Sequence, residues 1–222
     1  MTETMLSNER CFLEEEPWKL LFESLVLENR GLSHQSETAI TMLILKSRVP
    51  GIYKDATSVI CNNNQFDILK LKKAVFGAHE LLADLNSWLC KHRDIISTPR
   101  DGSAGVHGHE MRSDITSTYL SCCMIVTRLL AAVSAKERAS MEEEAQQLAN
   151  QTFELERVTM LISPYASLLL AQAVAVAHSI RSTAEEWKID MSTEGNRDRD
   201  TKSIIERWKF EHWCKILGRK VS

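Results

Sequence analysis

Apolar side chains recur along this chain at spacings of three and four, with little strict alternation, and that period predicts helices. The densest run lies in Ser163–Lys188, SPYASLLLAQAVAVAHSIRSTAEEWK, where Ala166 to Ala177 is apolar on nearly every side of a helix. Such a helix has to be enclosed by others. Ser163 can cap it and Pro164 suits a first helical position, so the sequence expects this segment to be the buried central helix of the domain. Gln172 interrupts the run, which is also shorter than the roughly 20 residues a bilayer span requires.

The remaining elements follow in order. An acidic run, Glu14 to Glu16, precedes a helix from Pro17 whose apolar side is Trp18, Leu21, Phe22, Leu25 and Val26, with Gly31 placed to stop it. A second helix from Ser33 carries Ile40, Leu43, Ile44 and Leu45 towards Pro50-Gly51, which reads as turn chemistry. Between Gln65 and His92, the positions Ile68, Leu71, Val75, Leu82, Leu85 and Leu89 form the clearest amphipathic stripe, with His79 on the same side. The Gly-rich stretch 94–112 reads as a mobile loop, after which Asp114 caps a helix through Val133. Ser140 and Glu143 have capping-box spacing ahead of a helix to about Arg157, whose early acidic residues suit the helix dipole. Residues 190–201 read as an exposed connection before SIIERWKFEHWCKILGRK, where Gly218 is a helix stop. The domain plan is an N-terminal lead, 1–16, and one helical domain, 17–222, of all-α class: a single globular bundle around a buried central helix.

Composition agrees, since eight Gly and four Pro in 222 residues are too few for a turn-rich β-architecture. A formal net charge of −3 gives no bulk attraction to a phosphate backbone, which argues against direct nucleic-acid binding. Six cysteines stand without a CxxC pair, and the N-terminal residues resemble neither a signal nor a transit peptide. These features predict reduced thiols in a cytoplasmic setting, no membrane span, no resident cofactor and no metal. The HGHE run at His107, His109 and Glu110 lacks the one-face spacing of a helical zinc motif. No GxSxG elbow supports a nucleophilic triad.

Candidate chemistry therefore rests on polar and aromatic side chains carried by apolar helices. Tyr119, Gln172, His178 and Arg128 are the candidate catalytic donors, and Trp88, Tyr165 and His79 the candidate substrate contacts. Each also has an ordinary role as a satisfied core polar group or a packing aromatic. Arg128, inside an apolar run, requires either a route to the surface or a buried acceptor.

Several stretches resemble, in order, the regulatory middle-homology region of fungal binuclear-zinc-cluster transcription factors: FLEEEPWKLLF, HELLADLNSWL, TYLSCCMIVTRLL, EEEAQQLANQ, the Ala-rich helix and the closing ERWKFEHWCKILGRK. The resemblance implies a helical domain that senses hydrophobic metabolites. The family's closely spaced zinc-binding cysteines have no counterpart near Cys11. Two functions follow as expectations. The first is a cofactor-independent enzyme of fungal secondary metabolism, holding a hydrophobic terpenoid or polyketide in an apolar pocket for an intramolecular, Diels-Alder-type cyclisation or isomerisation. The alternative is a non-enzymatic regulator, nuclear in that case, that forms a homodimer or binds a partner transcription factor or metabolite without contacting DNA. A closed apolar cavity lined by the nominated residues favours the first, and an exposed hydrophobic face the second.

Overall fold

The computed structural model describes residues 9–27, 34–61, 67–96, 106–188 and 204–218. Among these residues the protein is all-α, with helices α1 (Glu16–Leu27), α2 (His34–Cys61), α3 (Ile68–Lys91), α4 (Val106–Val133), α5 (Arg138–Ile162), α6 (Ser167–Ser182), α7 (Ala184–Lys188) and α8 (Arg207–Ile216). They pack as one bundle. The stop expected at Gly31 and the connection 190–201 lie outside the described residues.

The central post is α4, not the Ala-rich segment expected to fill that place. Every residue from Tyr119 to Val133 is buried, and α2, α3, α5 and α6 all pack around this helix. The stretch Gly108–Val133 is long and apolar enough to cross a bilayer, but 89% of its most apolar window is buried in the bundle. The Ala-rich segment divides into a 3-10 turn, Pro164–Ala166, then α6 and α7. Helix α6 buries Leu170, Ala173, Val176, Ala177 and Ile180 and leaves Leu168, Ala171, Ala175 and His178 exposed, so it is a wall of the bundle. Ala is the reason: uniform small side chains carry little information about which side faces inward. Ser163 makes no cap bond and donates instead to Glu110 Oε1 at 2.8 Å.

Two expected breaks are helical. Helix α2 runs through Pro50, which removes only one ladder donor, because Met42, Val49, Tyr53 and Ala56 on both sides of it are buried in the core. Gly51 answers a close approach rather than a turn: a Cβ there would meet Glu14 Oε1 at 2.7 Å. Arg10, paired to Asp55 at 2.9 Å, ties the same N-terminal segment to α2. Likewise α4 already begins at Val106, so much of the stretch expected as a loop, 94–112, is helix; residues 97–105 lie outside the described ones. Asp114 is consequently an interior residue, and α5 starts at Arg138 with Ser140 donating to the Glu137 carbonyl instead of capping.

Helix α3 lies where its stripe predicts and is capped by Asp67, whose carboxylate accepts from Leu69 N and Lys70 N. Its most buried line is Ala74, Ala78, Leu81, Leu85 and Trp88. Ile68 is 55% exposed, while Leu71, Val75, Leu82 and Leu89 flank the core. The C-terminal element closes the bundle: Ile205 N donates to the Ala132 carbonyl at 2.7 Å, and Phe210 and Trp213 are fully buried. Gly218, at φ 74°, ends α8 in the left-handed conformation that glycine adopts without steric cost.

Candidate functional site

Of the seven nominated residues, Trp88 and Tyr119 meet and the other five lie in separate places. Trp88 and Tyr119 stack with ring centroids 5.7 Å apart between α3 and α4. Trp88 Nε1 donates to Thr41 Oγ1 at 2.9 Å, and the Tyr119 hydroxyl reaches Asn86 Oδ1 at 3.4 Å. Burial, reinforced by Cys123 beside it, raises the Tyr119 hydroxyl far above the ordinary phenol range, so it remains a protonated donor. His92 packs on the same Trp88 ring and bonds through Nδ1 to Thr38 Oγ1 at 3.0 Å. This is a polar and aromatic seam between helices.

Arg128 lies at the opposite end of α4. Its side chain is fully buried and donates to Glu142 Oε1 at 3.0 Å, the Ile180 carbonyl at 3.3 Å and Thr183 Oγ1 at 2.8 Å. The guanidinium lies 3.6 Å from the centroid of Trp187, a cation–π contact formed away from water. Gln146 Nε2 also donates to Glu142 Oε1, whereas Glu142 Oε2, Arg128 Nε and Trp187 Nε1 are buried without a hydrogen-bond partner. Burial pulls the Arg128 guanidinium down to about 10, opposed by Glu142 and Glu186. It pushes the Glu142 carboxyl up, opposed by Arg128 and Gln146. Both shifts have one cause, the low-dielectric surroundings of a charge pair.

A pocket of about 420 Å³ opens above this pair, lined by Arg138, Ala139, Glu142, Glu143, Gln146, Trp187 and Lys188. None of the seven nominated residues lines it, and its wall is mostly apolar surface set among the charges of Arg138, Glu142, Glu143 and Lys188. Glu142 is the residue the sequence reading missed, having been placed among the acidic groups at a helix start. A signal was present: Arg138, Glu142, Ala145, Ala149 and Thr152 recur at steps of four and three, which puts Glu142 on the inner face of α5.

The other nominated residues are peripheral. His79 is exposed and pairs with Glu137 at 2.9 Å. His178 is exposed and packs on Phe153 at 4.8 Å between centroids. Gln172 is half-buried, its Nε2 without a partner. Tyr165 is 85% exposed and belongs to an apolar tip where α5 turns into α6, together with Met160, Leu161, Ile162, Leu168 and Leu169. Within the HGHE run, His109 is buried and its Nε2 meets Ser113 Oγ at 3.5 Å, while Glu110 bonds Ser163. Among the described residues no three His, Cys, Asp or Glu side chains converge as metal ligands would.

Compared with protein-family models, curated proteins and solved structures, the chain matches none.

Proposed function

We propose that this chain is a non-enzymatic interaction module, a rigid helical bundle that engages another protein through the α5–α6 tip. The observation that carries this reading is the exposure of six large apolar or aromatic side chains in one uncharged stretch, with Leu161 and Leu168 each 76% exposed. A soluble surface rarely leaves so many contiguous apolar groups facing water unless something covers them. A role as a regulator acting through a partner factor, as the resemblance to fungal transcription-factor regulatory regions implies, fits such a surface. The net charge of −3 gives no attraction to DNA beside it.

The test places a photo-crosslinking amino acid at Tyr165 and irradiates the protein in extract of the cells that express it. The expected result is a discrete protein adduct that Leu168→Glu abolishes and that the same reagent at Leu69, itself 78% exposed, does not form. Equal labelling from both positions overturns the reading.

A second reading keeps the small-molecule guest and is favoured by the pocket above Arg128 and Glu142. At about 420 Å³ it has the volume of an ordinary ligand site. Its wall combines mostly apolar surface with charged side chains, which suits an amphipathic guest, and the separation of Tyr119, Gln172 and His178 leaves a cofactor-independent cyclase without a shared set of donors. Conversion of one metabolite to an isomer of equal mass by the purified chain, abolished by Glu142→Gln, would establish it.

A further inference from the structure

We propose, resting on the interaction reading above, that the exposed face of α6, with the α5–α6 tip at one end of it, pairs with the same face of a second copy of this chain, about a twofold axis that sets the two α6 helices antiparallel. Charge supplies the first argument. No Asp, Glu, Lys or Arg stands between Arg157 and Arg181, so this surface meets its own image without facing like charges. A hetero-partner selected by charge would be matched by a charged face. Charged groups border the tip instead: Glu110 bonded to Ser163, Arg157 paired with Glu154 at 2.6 Å, and Arg181 over the Phe153 ring at 5.6 Å. An apolar centre with a polar rim is the ordinary anatomy of a protein interface.

Shape supplies the second argument. The exposed line of α6 runs from Leu168 through Ala171 and Ala175 to His178, large at one end and small along the middle. Small residues at the crossing let two helices approach to roughly 8 Å. In an antiparallel pair crossing between Ala171 and Ala175, Tyr165 and Leu168 of one copy lie over the His178 end of the other, and the reverse holds by symmetry. The six apolar tip residues expose on the order of 700 Å² per copy, close to the roughly 800 Å² that each partner contributes to a standard interface.

The other occupants fit less well. The stretches of this chain outside the described residues, such as 97–105 (STPRDGSAG) and 189–203 (IDMSTEGNRDRDTKS), are polar or charged and bring few apolar side chains to cover the tip. An anionic lipid surface is held by a cluster of basic residues, and of the two arginines that border the tip Arg157 is paired with Glu154.

Sedimentation equilibrium of the full chain from about 1 to 100 μM tests the proposal. The weight-average mass should climb from 25.2 kDa towards twice that value. Leu168→Glu should raise the dissociation constant at least about tenfold, because it sets two carboxylates into an apolar contact. Ala175→Glu, exposed like Leu168, should do the same, and Leu69→Glu on α3 should leave it unchanged, with circular dichroism confirming that all three variants fold. A monomer throughout the range, or a dimer indifferent to both tip variants, overturns the proposal. So does Leu168-dependent flotation of the chain with phosphatidylcholine vesicles, which would assign the tip to lipid. A monomer that still forms the Tyr165 adduct with another protein sinks self-pairing and leaves the interaction reading standing. A monomer without the adduct sinks both.

Discussion

Replacing Arg128 with Met removes the only fully buried guanidinium among the described residues and leaves Glu142, itself 4% exposed, with Gln146 as its one side-chain donor. A buried ion deprived of its partner typically destabilises a fold by about 3–5 kcal/mol. For a chain of this length each kcal/mol moves the melting temperature by about 2–4 °C, so the variant should melt roughly 6–20 °C lower at pH 7. That loss is a large share of the roughly 5–15 kcal/mol that holds an ordinary domain together.

The pH dependence makes the reasoning sharper. Burial raises the folded-state pKa of Glu142 and Arg128 is the largest influence lowering it, so the substitution raises it further. A carboxyl with a raised folded pKa binds its proton more tightly when folded. Its contribution is complete below the unfolded value of about 4.3 and is lost as pH climbs through the folded pKa. The Arg128→Met penalty should therefore shrink between pH 7 and pH 5. Glu142→Leu behaves differently: it strands a guanidinium, a group that keeps its proton throughout this range, so its penalty should be flat over the same interval. The double variant, Arg128→Met with Glu142→Leu, buries no charge and should recover most of the loss, to within about 1–2 kcal/mol of the parent. Thermal and urea unfolding, followed by circular dichroism and tryptophan fluorescence, measure all three. An Arg128→Met penalty that does not change with pH, or a double variant no more stable than either single one, refutes the argument.

Other consequences are simpler to check. Alkylation mapped by mass spectrometry should modify exposed Cys90 first in the folded protein; Cys122, whose thiol burial pushes up to about 12, and buried Cys123 should react only on unfolding. Trp88→Phe keeps the ring against Tyr119 but removes the donor to Thr41, and should lower stability by about 0.5–1.5 kcal/mol in urea titrations. Gly218→Ala should lose about 1 kcal/mol, through conformation alone, because nothing lies within 4 Å of the added Cβ.

The helical class was legible because apolar spacing reports period, and period does not depend on neighbours. Which helix occupies the centre depends on them entirely. The Ala-rich segment is apolar nearly all round and still lies at the wall, whereas α4 carries Ser117, Ser121, Thr127 and Arg128 into the interior. Arg128 is tolerated there because other elements supply its partners, Glu142 and Thr183, and Ser117 bonds back to the Asp114 carbonyl of its own helix. Pro50-Gly51 misled for a related reason: a local turn signal yields when the residues on both sides of it are held in a core. Arg128 was legible as a residue in need of an acceptor. Its acceptor was hidden because acidic residues near a helix start have a sufficient local explanation in the helix dipole.

Sorting polar residues by the apolarity of their own helix gathers groups that share a sequence environment but not a place: Tyr119 faces α3, Arg128 faces α5 and α7, and His178 lies outside against Phe153. The informative feature of the Ala-rich segment was the charge missing from its surroundings, not the polar residues stranded on it. A wall helix facing water ordinarily carries Lys or Glu at exposed positions, since charged side chains there stabilise nothing by being absent. Ahead of Arg181 in its last turn, helix α6 has Leu168, Ala171, Ala175 and His178 at those positions instead. A face that is apolar where it need not be has lost its reason to be polar, and contact with another surface removes that reason.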